Sequence, residues 1–168
     1  MKKPINVLLT SLIILFIFSC TSVDKKQNDV AATTTIDDSY KPAAAADAGN
    51  PMNNIGIGPV KERFALGAID ANKATIGKDI FEAKCTSCHK FTSDKYVGPG
   101  LLGVTERRTP EWIVNQITNP AEMTEKDPIA HELLETYLTQ MTNQNITVEQ
   151  AKNILEYFRQ QDAAHKAQ

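Results

Sequence analysis

From about residue 70 onward, apolar residues recur at helical spacing, and no stretch sustains the period-two alternation of a half-buried strand. Ile76, Ile80 and Phe81, with Lys84 one turn on, predict a helix ahead of residue 85. Thr109-Pro110-Glu111 is a helix start, with Thr as N-cap and Pro at the first position, and Pro120 stops that helix. Asp127-Pro128 repeats the start signal ahead of IAHELLETYL. Thr147 and Gln150 have capping-box spacing ahead of Val148, Ala151, Ile154, Leu155 and Phe158. The expectation is one small all-α domain over residues 70–168, with about four helices and no internal repeat.

Upstream the pattern changes twice. Residues 5–18 are apolar apart from Asn6, Thr10 and Ser11, and they follow Lys2 and Lys3. That run is short for a spanning helix and reads as the core of a signal peptide, with an uncleaved membrane anchor as the alternative. Cys20 follows directly, in a stretch that resembles the lipobox of bacterial lipoproteins, although Ile17 and Phe18 are bulkier than the usual small residues. The resemblance implies a signal peptide over residues 1–19, a lipid on Cys20 and an exported, membrane-anchored chain. Residues 20–54 are rich in Ala, Thr, Asp and Asn, with TTT at 33–35 and AAAA at 43–46, and read as a disordered tether. Taken on to residue 70, about 50 such residues would reach roughly 40 Å. Residues 55–69 carry Ile55, Ile57, Val60, Phe64 and Leu66 among Gly56, Gly58, Pro59 and Gly67. They are too apolar for a linker and too broken for a helix, so they read as an extended arm packed on the domain, with partner docking as the alternative.

Composition narrows the function. The 168 residues carry a formal charge of −2, so no basic surface points to nucleic acid. The three cysteines are Cys20, Cys85 and Cys88, and the last two stand in KCTSCHKF, residues 84–91, directly before His89. A chance C-x-x-C-H arises in about one chain in a thousand of this composition. A thioredoxin-type dithiol needs βαβ context, which is missing, and a zinc site needs further thiolate or imidazole ligands, for which only His131 and His165 remain. Haem attachment fits best: Cys85 and Cys88 as thioethers, His89 as proximal iron ligand. Haem would also fill the core of a domain whose only tryptophan is Trp112.

At residues 77–91, GKDIFEAKCTSCHKF, the sequence resembles the class I c-type cytochromes, with Gly77 eight and Phe81 four residues before Cys85. In that family the small Gly lets the N-terminal helix cross closely over the C-terminal one, for which ILEYF at 154–158 is the counterpart, Ile154 and Tyr157 at the matching positions. YVGPGLLGV at 96–104 resembles the loop whose proline carbonyl accepts a hydrogen bond from the proximal histidine, here Pro99 and His89. RRTPEWIVNQITNP at 107–120 resembles the middle helix, which implies Trp112 near the haem propionates and Arg107 or Arg108 paired with them. The resemblance covers about residues 72–161 and implies one covalent haem c.

The family usually places a methionine on the far side of the iron. Met141 lies six residues ahead of Thr147, where the family has its ligand loop, although Thr142 replaces the usual proline. Met123, among Glu122, Glu125 and Asp127, is the other candidate, and His131 would give a bis-histidine site. A His89/Met141 site leaves the iron no open position, which implies an electron carrier and not an enzyme. The alternative is a haem enzyme or sensor of gas or redox state with a labile sixth ligand. Lys84, Lys90 and Lys95 around the motif, or Glu122, Glu125, Asp127, Glu132 and Glu135 before Met141, are candidate docking rings for electron donor and acceptor proteins. The chain also resembles small lipoprotein cytochromes that feed periplasmic terminal reductases, such as nitrous oxide reductase, which implies a terminal reductase as partner and a periplasmic domain; a monomer is the expectation, with the oligomeric state left open by the sequence.

Overall fold

The computed structural model describes residues 50–168; the expected signal peptide, Cys20 and most of the expected tether lie outside the described residues. Six helical segments follow one another: α1 (Ala71–Lys84), α2 (Val104–Arg107), α3 (Pro110–Thr118), α4 (Pro120–Lys126), α5 (Pro128–Tyr137) and α6 (Val148–Lys166). There is no strand among the described residues, as the all-α expectation required. Two segments exceed the four or so expected. Pro120 does stop α3, but it is also the first residue of α4, so Asn119 closes one helix and opens the next. The single turn α2 is too short to show a period.

The caps are those the sequence indicates. Thr109 accepts from the Trp112 amide and Asp127 from the Ala130 amide. Thr147 and Gln150 complete a reciprocal capping box on α6.

α1 and α6 cross at Gly77. A Cβ at Gly77 would lie 2.0 Å from the Asn153 carbonyl oxygen, so only glycine permits this approach. One turn on, Phe81 packs against Tyr157 and edge-on against Phe158, and Phe91 adds a fourth ring to the cluster. The packed stripe of α1 is Ala74, Gly77 and Phe81; Ile76, one position off that stripe, is half exposed. Near the C-terminal end of α6, buried Asp162 accepts from the Gly103 and Thr105 amides and the Thr105 hydroxyl, which fixes α2 to α6.

The arm runs along α3. Asn115 accepts from the Val60 amide and donates to the carbonyls of Ile55 and Val60, and Phe64 donates to Glu111. Ile57 donates to the sulfur of Met123 at 2.9 Å. Leu66, by contrast, is exposed. Packing begins before residue 55: Asn54 donates to Asp127 and its carbonyl accepts from Thr109.

Candidate functional site

The attachment motif sits where α1 ends. Cys85 is the C-cap, its amide bonded to Phe81, and the chain then coils through one tight turn in which the amides of Cys88 and His89 both donate to the Cys85 carbonyl. This turn brings both thiols and the imidazole to one surface. Burial raises the Cys85 thiol above its usual range, an effect that nearby Lys84 opposes and Cys88 reinforces.

The loop after the motif sets the histidine. The Gly98 amide donates to Cys88, and the Leu101 amide to Lys90, so residues 98–101 lie back against the motif. The Pro99 carbonyl then stands 3.0 Å from His89 Nδ1. A carbonyl can only accept, so Nδ1 must carry the proton and Nε2 keeps its lone pair for a metal. The same bond fixes the orientation of the ring. Gly98 has no space for a side chain: a Cβ there would be 2.7 Å from His89 Cε1.

These groups line a cavity of about 560 Å³, within the roughly 300–1,000 Å³ of small-molecule and cofactor sites. Cys85, Cys88, His89 and Pro99 contribute to it, as do Met141, Gln116, Arg107, Arg108 and Trp112. Apolar walls come from Leu101, Ile113, Ile117, Ile154 and Phe158. Two thiols, an imidazole with a free lone pair and a thioether on one apolar cavity form a donor set that fits haem c.

Of the other sequence-derived candidates, Met141 lines this cavity, and Met123 and His131 do not. Met123 is 0% exposed and does not line it; its sulfur faces the arm. Met141 does line it, with its sulfur 3.7 Å from Gln116 Nε2. Gln116, which the sequence reading did not single out, leaves its Oε1 buried without a hydrogen-bond partner. Its position one turn after Trp112 was the available signal. His131 is off the cavity, held by the Thr124 carbonyl and by Glu135.

Charged and polar groups beside the cavity are already engaged within the protein. The Trp112 indole N–H donates to Asp127 at 3.0 Å, so that donor is already committed to a carboxylate within the protein. Asp127 itself is 2% exposed and bonded to Asn54, Trp112 and Ala130, which removes it from any surface acidic ring. Of the two arginines, Arg107 donates to the Leu102 and Gly100 carbonyls and braces the loop. Arg108 stacks on Trp112 at 5.4 Å, and burial, reinforced by Arg107, lowers its pKa from the ordinary value.

A family model described as cytochrome c matches residues 74–162, more than half of the sequence. The chain belongs to the cytochrome c family. A cytochrome c-553-like protein of Synechocystis sp. is 42% identical over 43 residues, which are 26% of this chain and 41% of that protein, so the match spans less than half of that relative. Among solved structures, a cytochrome c from Rhodothermus marinus is 39% identical, with a TM-score of 0.61 over 64% of this chain and 91% of that one. An engineered form of the Rhodothermus protein, bound to a carbene intermediate, is 38% identical, with a TM-score of 0.58 over 63% and 91%. This cytochrome is of class I, all-α, with a covalently bound haem c and its iron, and haem-based electron transfer is the chemistry of its family.

Proposed function

We propose that this cytochrome is an electron carrier whose haem iron is held by His89 and Met141, with Cys85 and Cys88 as the thioether anchors. One observation carries the reading: a single apolar cavity gathers Cys85, Cys88, a His89 whose Nε2 is freed by Pro99, and Met141. The bound haem supplies one-electron chemistry. The chain supplies the rest. His89 and Met141 would hold the iron, the apolar walls would keep water from it, and Gln116 directs an amide N–H at the methionine sulfur. Arg108, half-buried on the cavity, is the arginine placed to pair with the haem carboxylates, while Arg107 holds the loop.

Electron entry belongs to the lysine side. Lys84 lines the cavity and donates to the Gln144 carbonyl. Lys90 lies over the Tyr96 ring, and Lys95 lies over Tyr137 while donating to the Thr136 carbonyl. Tyr96 and Val97 are also exposed, as is Leu138, at 84%. Of the acidic candidates, Asp127 is buried, Glu122 bonds Asn119 and Lys126, Glu135 faces His131, and Glu125 and Glu132 are exposed. Replacing Lys90 and Lys95 with glutamate should slow reduction by an anionic small-molecule reductant several-fold at low salt. The difference should vanish near 1 M salt, where screening acts within about 3 Å. Equal rates at low salt would remove the lysine face from the electron path.

The finer cellular reading is an exported lipoprotein, anchored through Cys20, with its domain in the periplasm and membrane-associated or periplasmic redox partners, a terminal reductase among them. It is supported by the apolar run before Cys20. Among the described residues no helix is long and apolar enough to cross a membrane. Cells expressing the full chain should incorporate labelled fatty acid into it, and Cys20→Ala should abolish the label and release the protein from membranes. Label retained in that variant would place the anchor elsewhere.

Thr142 favours a second reading, with a labile sixth position and enzymatic or sensory chemistry. It stands where the family has proline, and it lines the cavity beside Met141. An engineered Rhodothermus relative in this fold is described as bound to a carbene intermediate.

A further inference from the structure

The arm has contacts that a passive linker does not need. Glu111 and Asn115 on α3 and Asn119 at its C-cap stand four apart, each largely or fully buried, and each bonds the arm backbone: Phe64, then Ile55 and Val60, then Ile57. A helix that shows three polar side chains in one stripe normally turns them to water. Here they grip a second piece of chain. The stripe beside it, Trp112, Ile113, Gln116 and Ile117, lines the haem cavity. α3 therefore touches the arm on one side and the cavity on the other.

The fit is close at two glycines. A Cβ on Gly58 would lie 2.4 Å from Asn115 Oδ1, and one on Gly56, where φ is +74°, would lie 2.9 Å from the Met123 sulfur. Asn54 closes the near end as a clasp: it donates to Asp127, which also holds the Trp112 indole, and its carbonyl accepts from Thr109. At the far end of the link, Gln116 follows Asn115 and reaches the Met141 sulfur. The amides of Ile57, Val60 and Phe64 are bonded only to side chains, so the arm can leave without breaking any helix. With the arm seated, one oxygen of buried Glu111 accepts from Phe64 and the other has no hydrogen-bond partner.

We propose that residues 54–64 are a strap: seated on α3 they keep the Met141 side of the haem site closed, and unseated they let it open. The proposal rests on the reading that Met141 is the sixth ligand. One molecule thereby has two states, a closed carrier and an open form that admits small ligands.

Gly58→Val in the full, haem-loaded chain is the test, with Gly67→Ala as control because nothing lies within 4 Å of a Cβ there. Asn54→Ala, which removes only the clasp side chain, serves if Gly58→Val fails to fold. Three quantities are followed: hydrogen exchange at the Ile57, Val60 and Phe64 amides, the weak far-red methionine–iron band of the oxidised protein, and carbon monoxide binding by the reduced protein. Unseating should speed the three amides, weaken the band and raise carbon monoxide affinity by roughly tenfold, while Gly67→Ala matches the wild type. Fast amides with an intact band and unchanged gas affinity would overturn the strap's control of the site. Amides that remain protected in both variants would overturn its seating on Asn115 and Asn54. Absence of the band from the wild type would instead overturn the Met141 assignment.

Discussion

Gly77→Ala should unfold this domain many degrees earlier than the native chain. The added methyl group would sit 2.0 Å from the Asn153 carbonyl oxygen, and 2.8 Å from the Ile154 amide nitrogen. Both are backbone atoms of α6, so no side chain can swing away; the helices themselves must separate. Separation would loosen the Phe81, Tyr157 and Phe158 contacts immediately beyond. Alanine gains up to about 1 kcal/mol in helix propensity over glycine, which offsets only part of the strain. A net loss of roughly 3 kcal/mol is expected, large against the 5–15 kcal/mol of a typical domain. That corresponds to a fall of roughly 12–24 °C in Tm, read by circular dichroism on the haem-loaded protein. Gly67→Ala should leave Tm within a degree or two, since open space surrounds that position. Equal stability of the two variants would mean that the α1–α6 crossing is looser than the structure has it.

The second large effect is chemical. Met141→Ala removes the sulfur from the cavity and should abolish the far-red band, admit carbon monoxide to the reduced iron and lower the reduction potential by on the order of 0.1 V, within the roughly 0.8 V that axial ligands span. Met123→Ala is the informative comparison. Met123 is buried and off the cavity, so its loss should cost about 2–5 kcal/mol in stability and spare the band. If Met123→Ala abolishes the band and Met141→Ala does not, the axial assignment is reversed.

Much of this was legible in the sequence because it rests on local chemistry. The capping box at Thr147 and Gln150, the Thr109-Pro110 start and the C-x-x-C-H turn each involve residues within a few positions of one another. The Pro99–His89 bond spans ten residues and was reached only through the resemblance to the family. Long-range features were harder. Ile76 has helical spacing but points away from α6, because the packed stripe is set by Gly77, whose role is to be small. Asp127 reads as one more surface carboxylate until Trp112 and Asn54 are seen to bury it. Glu111, Asn115 and Asn119 look like the solvated face of an amphipathic helix, and nothing local shows that the arm covers them. Pro120 signals a stop, but a proline at a first helical position ends one helix and starts another with the same geometry.

The most direct test is one optical experiment on the full chain, produced in cells that attach haem: spectra of the oxidised protein, the reduced protein, and the reduced protein under carbon monoxide. We expect the far-red methionine–iron band when oxidised and a reduced spectrum that the gas leaves unchanged, as a site closed by His89 and Met141 requires. A protein without that band, whose reduced spectrum shifts at once under the gas, would contradict the carrier and point to an open haem site.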